Sequence, residues 1–293
     1  MEKIDLHMHS MFSDGTDTPE EIVLKAVKAG IGIIALTDHN TLAGIIPFRE
    51  ACQKYGQTGI DGTELTTKYP EPGAALEKDW PEVHVLGYLK PDTDLSSPSL
   101  KPLHDVIEEY RWSKIRHNET MVENMARAGI GPGRLSVEGF REFARALSPS
   151  GNYNRVHIAR YLIHLNLADS IDEAMDKYIG EDAPFYAIRK AIPAHTAIEA
   201  IHAAGGIAVI AHLGEYSLEG RRLEGFFDYC IEHKVDGFEL LHPHNRPENA
   251  RQILDFADRF RRETGRVLLL TSGSDYHGKN KTVRPAFPWL DTM

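Results

Sequence analysis

Residues 3–10 read Lys3-Ile4-Asp5-Leu6-His7-Met8-His9-Ser10. In an extended segment side chains alternate between faces, so Asp5, His7 and His9 share one side and Ile4, Leu6 and Met8 the other. Two imidazoles thus leave one rigid element in the same direction, a spacing that suits a divalent cation. Working outward, the pattern of an apolar strand ending in a polar ligand recurs. Residues 31–37 are almost wholly apolar, as expected of a parallel strand covered on both faces, and they lead into Thr37-Asp38-His39-Asn40. A third strand over 60–66 carries Glu64, and a fourth over 82–89 carries His84. Strands over 207–212, 236–242 and 266–271 follow, ending in His212, in His242 and in Ser272-Gly273-Ser274-Asp275-Tyr276-His277-Gly278.

Helical stretches separate most of these strands. Thr18-Pro19-Glu20-Glu21 supplies an N-cap, a proline at the first helical position and a glutamate three residues after the cap, and Gly30 stops the helix. A second helix runs to Tyr55-Gly56, and another covers 194–204. Seven strands in regular alternation with helices predict an α/β fold with a parallel sheet, closed as a distorted (βα)7 barrel. Over residues 91–190 the strand pattern gives way to helices near 101–128, 135–147, 155–166 and 170–180, with breaks at Gly129-Ile130-Gly131-Pro132-Gly133 and Ser148-Pro149-Ser150-Gly151. The expected organisation is a barrel of residues 1–90 and 191–293 carrying the metal site. The helical insertion, 91–190, is expected to cap the active face and contribute to substrate binding.

The 293 residues are 42% hydrophobic and 26% charged, the composition of a soluble globular chain. No apolar run approaches the length of a membrane span, and no basic region precedes an apolar segment at the start, so a cytoplasmic location without membrane contact is expected. Cys52 and Cys230 stand alone in helical segments, which leaves nitrogen and oxygen as the available metal ligands. A formal charge of −10 argues against a broad surface for duplex nucleic acid but is compatible with a small phosphorylated substrate.

The strand ends collect His7, His9, Asp14, His39, Glu64, His84, His212, Asp275 and His277, all expected at the C-terminal rim where parallel barrels build their sites. Nine such groups are too many for one ion and suit two or three, with a carboxylate bridging neighbouring ions. Asp38 and Asp5 read as supports that orient ligands or cap a helix. His104, His117, His164, His202 and His233 fall in helical segments and read as surface or packing residues, and His195 sits at a helix start, ranked below His212 as a ligand. His244, in His242-Pro243-His244-Asn245, is a candidate general acid or phosphate contact.

His7-Met8-His9, Asp14, Thr37-Asp38-His39, Gly62-Thr63-Glu64, Ala211-His212 and Ser274-Asp275-Tyr276-His277 resemble the motifs of the PHP (polymerase and histidinol phosphatase) family of metal-dependent phosphoesterases. Asn154-Arg155-Val156-His157-Ile158-Ala159-Arg160 is similar to a segment of its free-standing, nucleotide-directed branch. The resemblance implies a seven-stranded barrel with a trinuclear centre of manganese, iron or zinc. One ion would take His7, His9, Glu64 and Asp275; a second would share Glu64 and add His84 and His212; a third would take Asp14, His39 and His277. A hydroxide bridging the first two ions would attack phosphorus, with Asp275 and His244 as the catalytic groups. Arg155 and His157 would grip a substrate phosphate, since guanidinium matches phosphate bidentately; Arg160 reads as a solvated helix face. The implied activity is phosphate-monoester hydrolysis on a nucleotide, either the 3′-phosphate of a 3′,5′-bisphosphate or short oligoribonucleotides. The alternatives are a histidinol-phosphate phosphatase and a C–N hydrolase of the amidohydrolase superfamily, the latter having no use for Asp14, His39 and His277 as an extra site. The sequence leaves the native metal and the oligomeric state open.

Overall fold

A computed structural model describes residues 3–147 and 154–279; the predicted break at 148–151 lies outside them. Regular pairing of the first strand, β1 (Ile4–Asp5), is shorter than the sequence predicts. Past Asp5 the backbone bonds individually to its neighbours. Leu6 N–H donates to Ser272 O at 2.9 Å, Thr37 N–H to Met8 O at 2.9 Å, Asp275 N–H to His7 O at 2.8 Å and His9 N–H to Tyr276 O at 2.8 Å. The chain between them keeps the predicted sorting of faces. His7 and His9 are buried among polar groups, while Met8 is buried with Ile22, Ile34 and Phe48.

Helix α1 (Pro19–Ala29) starts through the reciprocal bonds of a capping box. Glu21 N–H donates to Thr18 Oγ1 at 3.2 Å and Thr18 N–H to Glu21 Oε2 at 2.8 Å, which satisfies two otherwise orphaned donors. The helix ends at Gly30, whose φ of 68° is a conformation glycine adopts without a Cβ penalty. Next come β2 (Ile33–Leu36), α2 (Ile45–Tyr55), β3 (Thr58–Lys68) and β4 (Glu82–Tyr88). The apolar faces of α1 and α2 close over β2 with Ile22, Val23, Phe48 and Ala51, and each such side chain taken from water contributes about 1.5–3 kcal/mol for the larger ones.

Four helices follow, α3 (Lys101–Arg127), α4 (Val137–Leu147), α5 (Arg155–His164) and α6 (Ile171–Ala174), the last continued by a π turn to Ile179. The chain then runs through α7 (Ala194–Ala203), β5 (Ile207–Ile210), α8 (Gly220–Glu232), β6 (Gly237–Leu241), α9 (Pro247–Thr264) and β7 (Leu269–Ser272). Two compact units result, one running to Ile107 and resuming at Ala191, the other Glu108–Lys190. The second has its own core of Met121, Met125, Phe140, Ile158, Leu162 and Ile179.

The strands lie in the order β1-β2-β3-β4-β5-β6-β7. The bonds of residues 6–9 to β7 and the segment after it, with a parallel bridge between Met8 and Tyr276, bring the last strand back to the first, so the seven strands form a nearly closed, distorted barrel. One expectation is corrected. The sheet is not wholly parallel, because β4 runs antiparallel to both β3 and β5. The physical reason lies in residues 69–81, which hold only a short 3-10 turn. A parallel return needs a crossover, usually an α-helix, whereas an antiparallel one needs only a loop. The reversal matters for the site. His84 stands near the start of β4, opposite Thr66, and by running backwards β4 brings it to the rim that the other strands reach with their C-terminal ends.

Candidate metal centre

At the middle of that rim sits Glu64, fully buried. Its Oε2 lies 3.1 Å from His7 Nε2, 3.2 Å from His9 Nε2 and 3.1 Å from His39 Nδ1. Its Oε1 lies 2.8 Å from His84 Nδ1 and 2.9 Å from His212 Nε2. Five imidazoles delivered by β1, β2, β4 and β5 therefore converge on one carboxylate of β3. Asp275 Oδ1 joins them at 3.3 Å from His9 Nε2 and 3.6 Å from His7 Nε2. Asp14, on the half-exposed loop after β1, reaches His277 Nε2 at 3.1 Å and lies 3.9 Å from nitrogens of both His9 and His39. All nine residues picked out as ligands from the strand ends are thus gathered in one cluster. Ligand atoms within 4.8 Å of one another define four overlapping groups there, His7, His9, Glu64 and Asp275; His9, Asp14, His39 and His277; His39, Glu64 and His84; and His7, Glu239 and His242.

Local backbone bonding explains why the strand ends stay where they are. Ser274 donates to Asp5 from both its N–H, at 2.9 Å, and its hydroxyl, at 2.6 Å, which locks the residue before Asp275 to β1. Asp38 accepts from Ser10 N–H, Ser10 Oγ and Ser13 Oγ, each at 2.7 Å, and so holds the loop after His9 instead of capping the following helix. Asn40 exchanges side-chain bonds with Thr66 at 2.9 and 3.1 Å, fixing His39 against β3. Three non-glycine residues at these ends, Asn40, His212 and Asp275, have φ of 50°, 22° and 55°. Left-handed backbone at bulky residues costs about 1–3 kcal/mol each and persists where surroundings over-determine it, as at functional sites.

The electrostatics are those of a site built for cations. Burial alone would raise the Glu64 carboxyl, but the imidazoles, with His39 and His7 foremost, hold it well below its usual range. Asp275 is held low in the same way by His7, His242 and His9 against the same burial penalty. Burial pulls the His9 ring down, yet the carboxylates of Asp275 and Glu64 outweigh it and push the ring up to about 9. His84 is driven up to about 10 by Glu64 and Glu82 against burial, while burial and its positive neighbours push His39 down to about 3. The carboxylates thus favour positive charge at His7, His9 and His84, the charge that cations would supply.

The unsatisfied atoms agree. Among the described residues, His9 Nδ1 and Nε2, His39 Nδ1, His212 Nδ1, His242 Nε2 and His277 Nε2 are buried without a hydrogen-bond partner. Buried polar atoms are almost always paired, so a run of orphaned imidazole nitrogens around carboxylates is the donor set of a metal site. With nitrogen and oxygen donors only, these residues fit divalent cations such as manganese, iron or zinc.

Two residues in this centre escape the sequence reading. Glu239, on β6, is buried, with Oε1 3.1 Å from His7 Nδ1 and Oε2 accepting from His212 N–H at 2.9 Å. His242, just past β6, is fully buried with Nε2 3.6 Å from Asp275 Oδ2. His242 follows a strand end as the ligands of β2 and β5 do, whereas Glu239 lies in the middle of β6 and carries no such signal. His244 is exposed and pairs with Glu215, itself 3.4 Å from His212 Nδ1, and no bond joins it to Glu64 or Asp275. Arg155 and His157 stand on α5 in the other compact unit, where Arg155 lies 3.4 Å from Glu181 and 5.6 Å above the Tyr186 ring, and His157 Nδ1 is 2.7 Å from Asn154 Oδ1. His195 bonds to Tyr229 and stacks on His233, outside the cluster. His202, expected to be a packing residue, pairs with Asp236 at 2.8 Å.

A family model described as the PHP domain matches residues 5–257. The chain belongs to the PHP family. This PHP protein is similar over 289 residues, at 29% identity, to the 5′-3′ exoribonuclease Rnm of Escherichia coli K12, covering 98% of this chain and 87% of that one. It is 26% identical to a 3′,5′-nucleoside bisphosphate phosphatase of Chromobacterium violaceum, over 94% of this chain and 88% of that one. A solved structure from Bifidobacterium adolescentis, assigned as a metal-dependent phosphoesterase, superposes with a TM-score of 0.67 at 28% identity over 96% of this chain and 90% of that one. The PHP protein is accordingly a metal-dependent phosphoesterase, a hydrolase. Among its described residues no helix is long and apolar enough to cross a membrane.

Proposed function

We propose that this PHP protein hydrolyses a phosphate monoester of a nucleotide, removing the 3′-phosphate of a 3′,5′-bisphosphate, with short oligoribonucleotides as a second substrate. The observation that carries the reading is Glu64, one carboxylate facing five imidazoles, in a chain alike over nearly its whole length to a nucleoside bisphosphate phosphatase and to an exoribonuclease. His7, His9, Glu64 and Asp275 would hold one cation, Glu64, His84 and His212 a second, and Asp14, His39 and His277 a third. Divalent cations there supply the positive charge that draws in phosphoryl oxygens and the acidity that makes hydroxide available at neutral pH.

The protein's own groups do the rest. Glu64 would offer an oxygen to each of two neighbouring cations, and Asp275 would give one side of the centre a further carboxylate acceptor. His244 is proposed as the general acid for the leaving oxygen; its exposure lets it exchange protons with solvent, and it pairs with Glu215. Arg155 and His157 enter as contacts to a second phosphate on the strength of their sequence motif.

The test is a turnover panel of adenosine 3′,5′-bisphosphate, histidinol phosphate and short oligoribonucleotides, run with and without a chelator. Release of phosphate from the bisphosphate, lost on chelation and restored by manganese, is the expected result. Turnover of histidinol phosphate alone would overturn the nucleotide reading, and activity that survives complete metal removal would overturn the mechanism.

A further inference from the structure

Six of the seven strands deliver a residue proposed above as a ligand; β6 does not. In the middle of β6 stands Glu239, 1% exposed, and its two oxygens face residues of different strands. Its carboxylate lies 3.1 and 3.3 Å from His7 Nδ1, and its Oε2 accepts from the backbone N–H of His212 at 2.9 Å. A carboxylate can only accept, so a hydrogen on His7 Nδ1 is placed to bond Glu239, while Nε2 faces Glu64, 3.1 Å away on the other side of the ring. His212 is tied by its backbone at the residue whose φ is 22°, where its ring meets Glu64 Oε1. One side chain therefore orients two imidazoles that approach the same carboxylate from β1 and β5. The space is closed around it. A methyl group at Gly273 would lie closer than 3.0 Å to both Glu239 Oε1 and His7 Cβ.

We propose that Glu239 is a positioning residue for the metal centre: it holds the proton of His7 on Nδ1, so that Nε2 is bare toward the first cation, and it pins His212 for the second. The inference rests on the ligand assignment of His7 given above. Imidazole ligands whose second nitrogen donates to a carboxylate have a set tautomer and stronger basicity, and loss of such a partner typically lowers metal affinity 10–100-fold. A glutamine cannot take over both tasks. With its one carbonyl oxygen toward His7 it turns its NH2 on the His212 N–H, and with the oxygen toward His212 it presents a donor to His7 Nδ1 and drives the proton to Nε2, where it blocks the ligand position.

The experiment titrates Mn2+ into metal-stripped wild type, Glu239→Gln and His7→Ala, reading affinity by competition with a chelator, with thermal melting of each stripped protein alongside. The expected result for Glu239→Gln is a melting point close to wild type, an affinity weaker by about 10–100-fold, and an activation constant for Mn2+ shifted equally, with turnover recovering at excess Mn2+ and the substrate KM unchanged. A merely structural role would lower melting without moving the metal constant selectively. Affinity within threefold of wild type in folded Glu239→Gln overturns the inference. If His7→Ala also binds Mn2+ as wild type does, the ligand assignment fails instead, so the two failures are distinct. Should Glu239→Gln not fold, zinc-loaded wild type labelled with 15N-histidine decides: a protected Nδ1–H on His7 supports the inference, and a proton on Nε2 overturns it.

Discussion

Replacing Gly273 by alanine adds a single methyl group at the point where β7, β1 and β6 meet. The added carbon would sit 3.1 Å from His7 N and closer than 3.0 Å to both His7 Cβ and Glu239 Oε1. Comfortable carbon contacts lie at about 3.5–4.0 Å, so at least about 0.5 Å of movement has to be absorbed. Neither neighbour gives easily. His7 Cβ is one bond from a backbone whose carbonyl accepts from Asp275 N–H at 2.8 Å, and Glu239 is held by His7 and by His212 N–H. Forcing a methylene-sized group into a packed interior costs about 1–3 kcal/mol, a fraction of the 5–15 kcal/mol that keeps a domain folded. The variant should therefore fold with reduced stability. Its larger effect should be on chemistry, because a displacement approaching 1 Å in a site of this kind costs on the order of 100-fold in rate. Denaturant unfolding of the metal-stripped protein gives the first number, and kcat/KM on the phosphoester that wild type turns over best gives the second. Stability within 0.5 kcal/mol of wild type together with kcat/KM within threefold, roughly the scatter of neutral surface changes, would refute the packing argument and with it the rigidity ascribed to this junction.

Removing the cap of α1 with Thr18→Ala should lower stability by about 1 kcal/mol and leave kcat and KM unchanged, since among the described residues the Thr18 side chain bonds only within its own capping box; paired unfolding and rate measurements check both halves. His117 provides a pH prediction in the helical unit. Burial, reinforced by the positive charges of Arg189 and Arg155, lowers its ring to about 4, so between about pH 6.5 and 4 the unfolded chain binds a proton that the folded one refuses. Its contribution favours the fold above that window and is lost as pH falls through it, by at most about 1.4 kcal/mol per pH unit and less for its partial exposure. Comparing denaturant midpoints of wild type and His117→Asn at pH 7 and pH 5 should show the wild type losing more on acidification; equal losses would dismiss the assignment.

Much of the barrel was legible in the sequence because its signals are local. The cap at Thr18, the stop at Gly30, the apolar run before Thr37 and the helices of the insertion are dictated by hydrogen bonds and periodicities that span a few residues, and the structure has each of them. Seven of the nine ligand candidates were legible for a related reason, since a strand that ends at a rim deposits whatever follows it there; Glu64 lies within β3, and His84 reaches the rim through the reversal of β4. The reversal of β4 was not legible, because it depends on what residues 69–81 fail to build and on which edge then accepts the strand. Glu239 and His242 were missed for the same kind of reason. On β6 a glutamate and a histidine three residues apart look like two ordinary polar residues. Only closure of the sheet sets Glu239 against His7 and His212, and His242 against Asp275. Residue type and order along the chain thus determined that this protein would gather imidazoles and carboxylates at one end of a barrel. Which carboxylate stands behind the His7 ring was decided by a contact between residues 232 positions apart, and such distances and orientations exist only once the chain has folded.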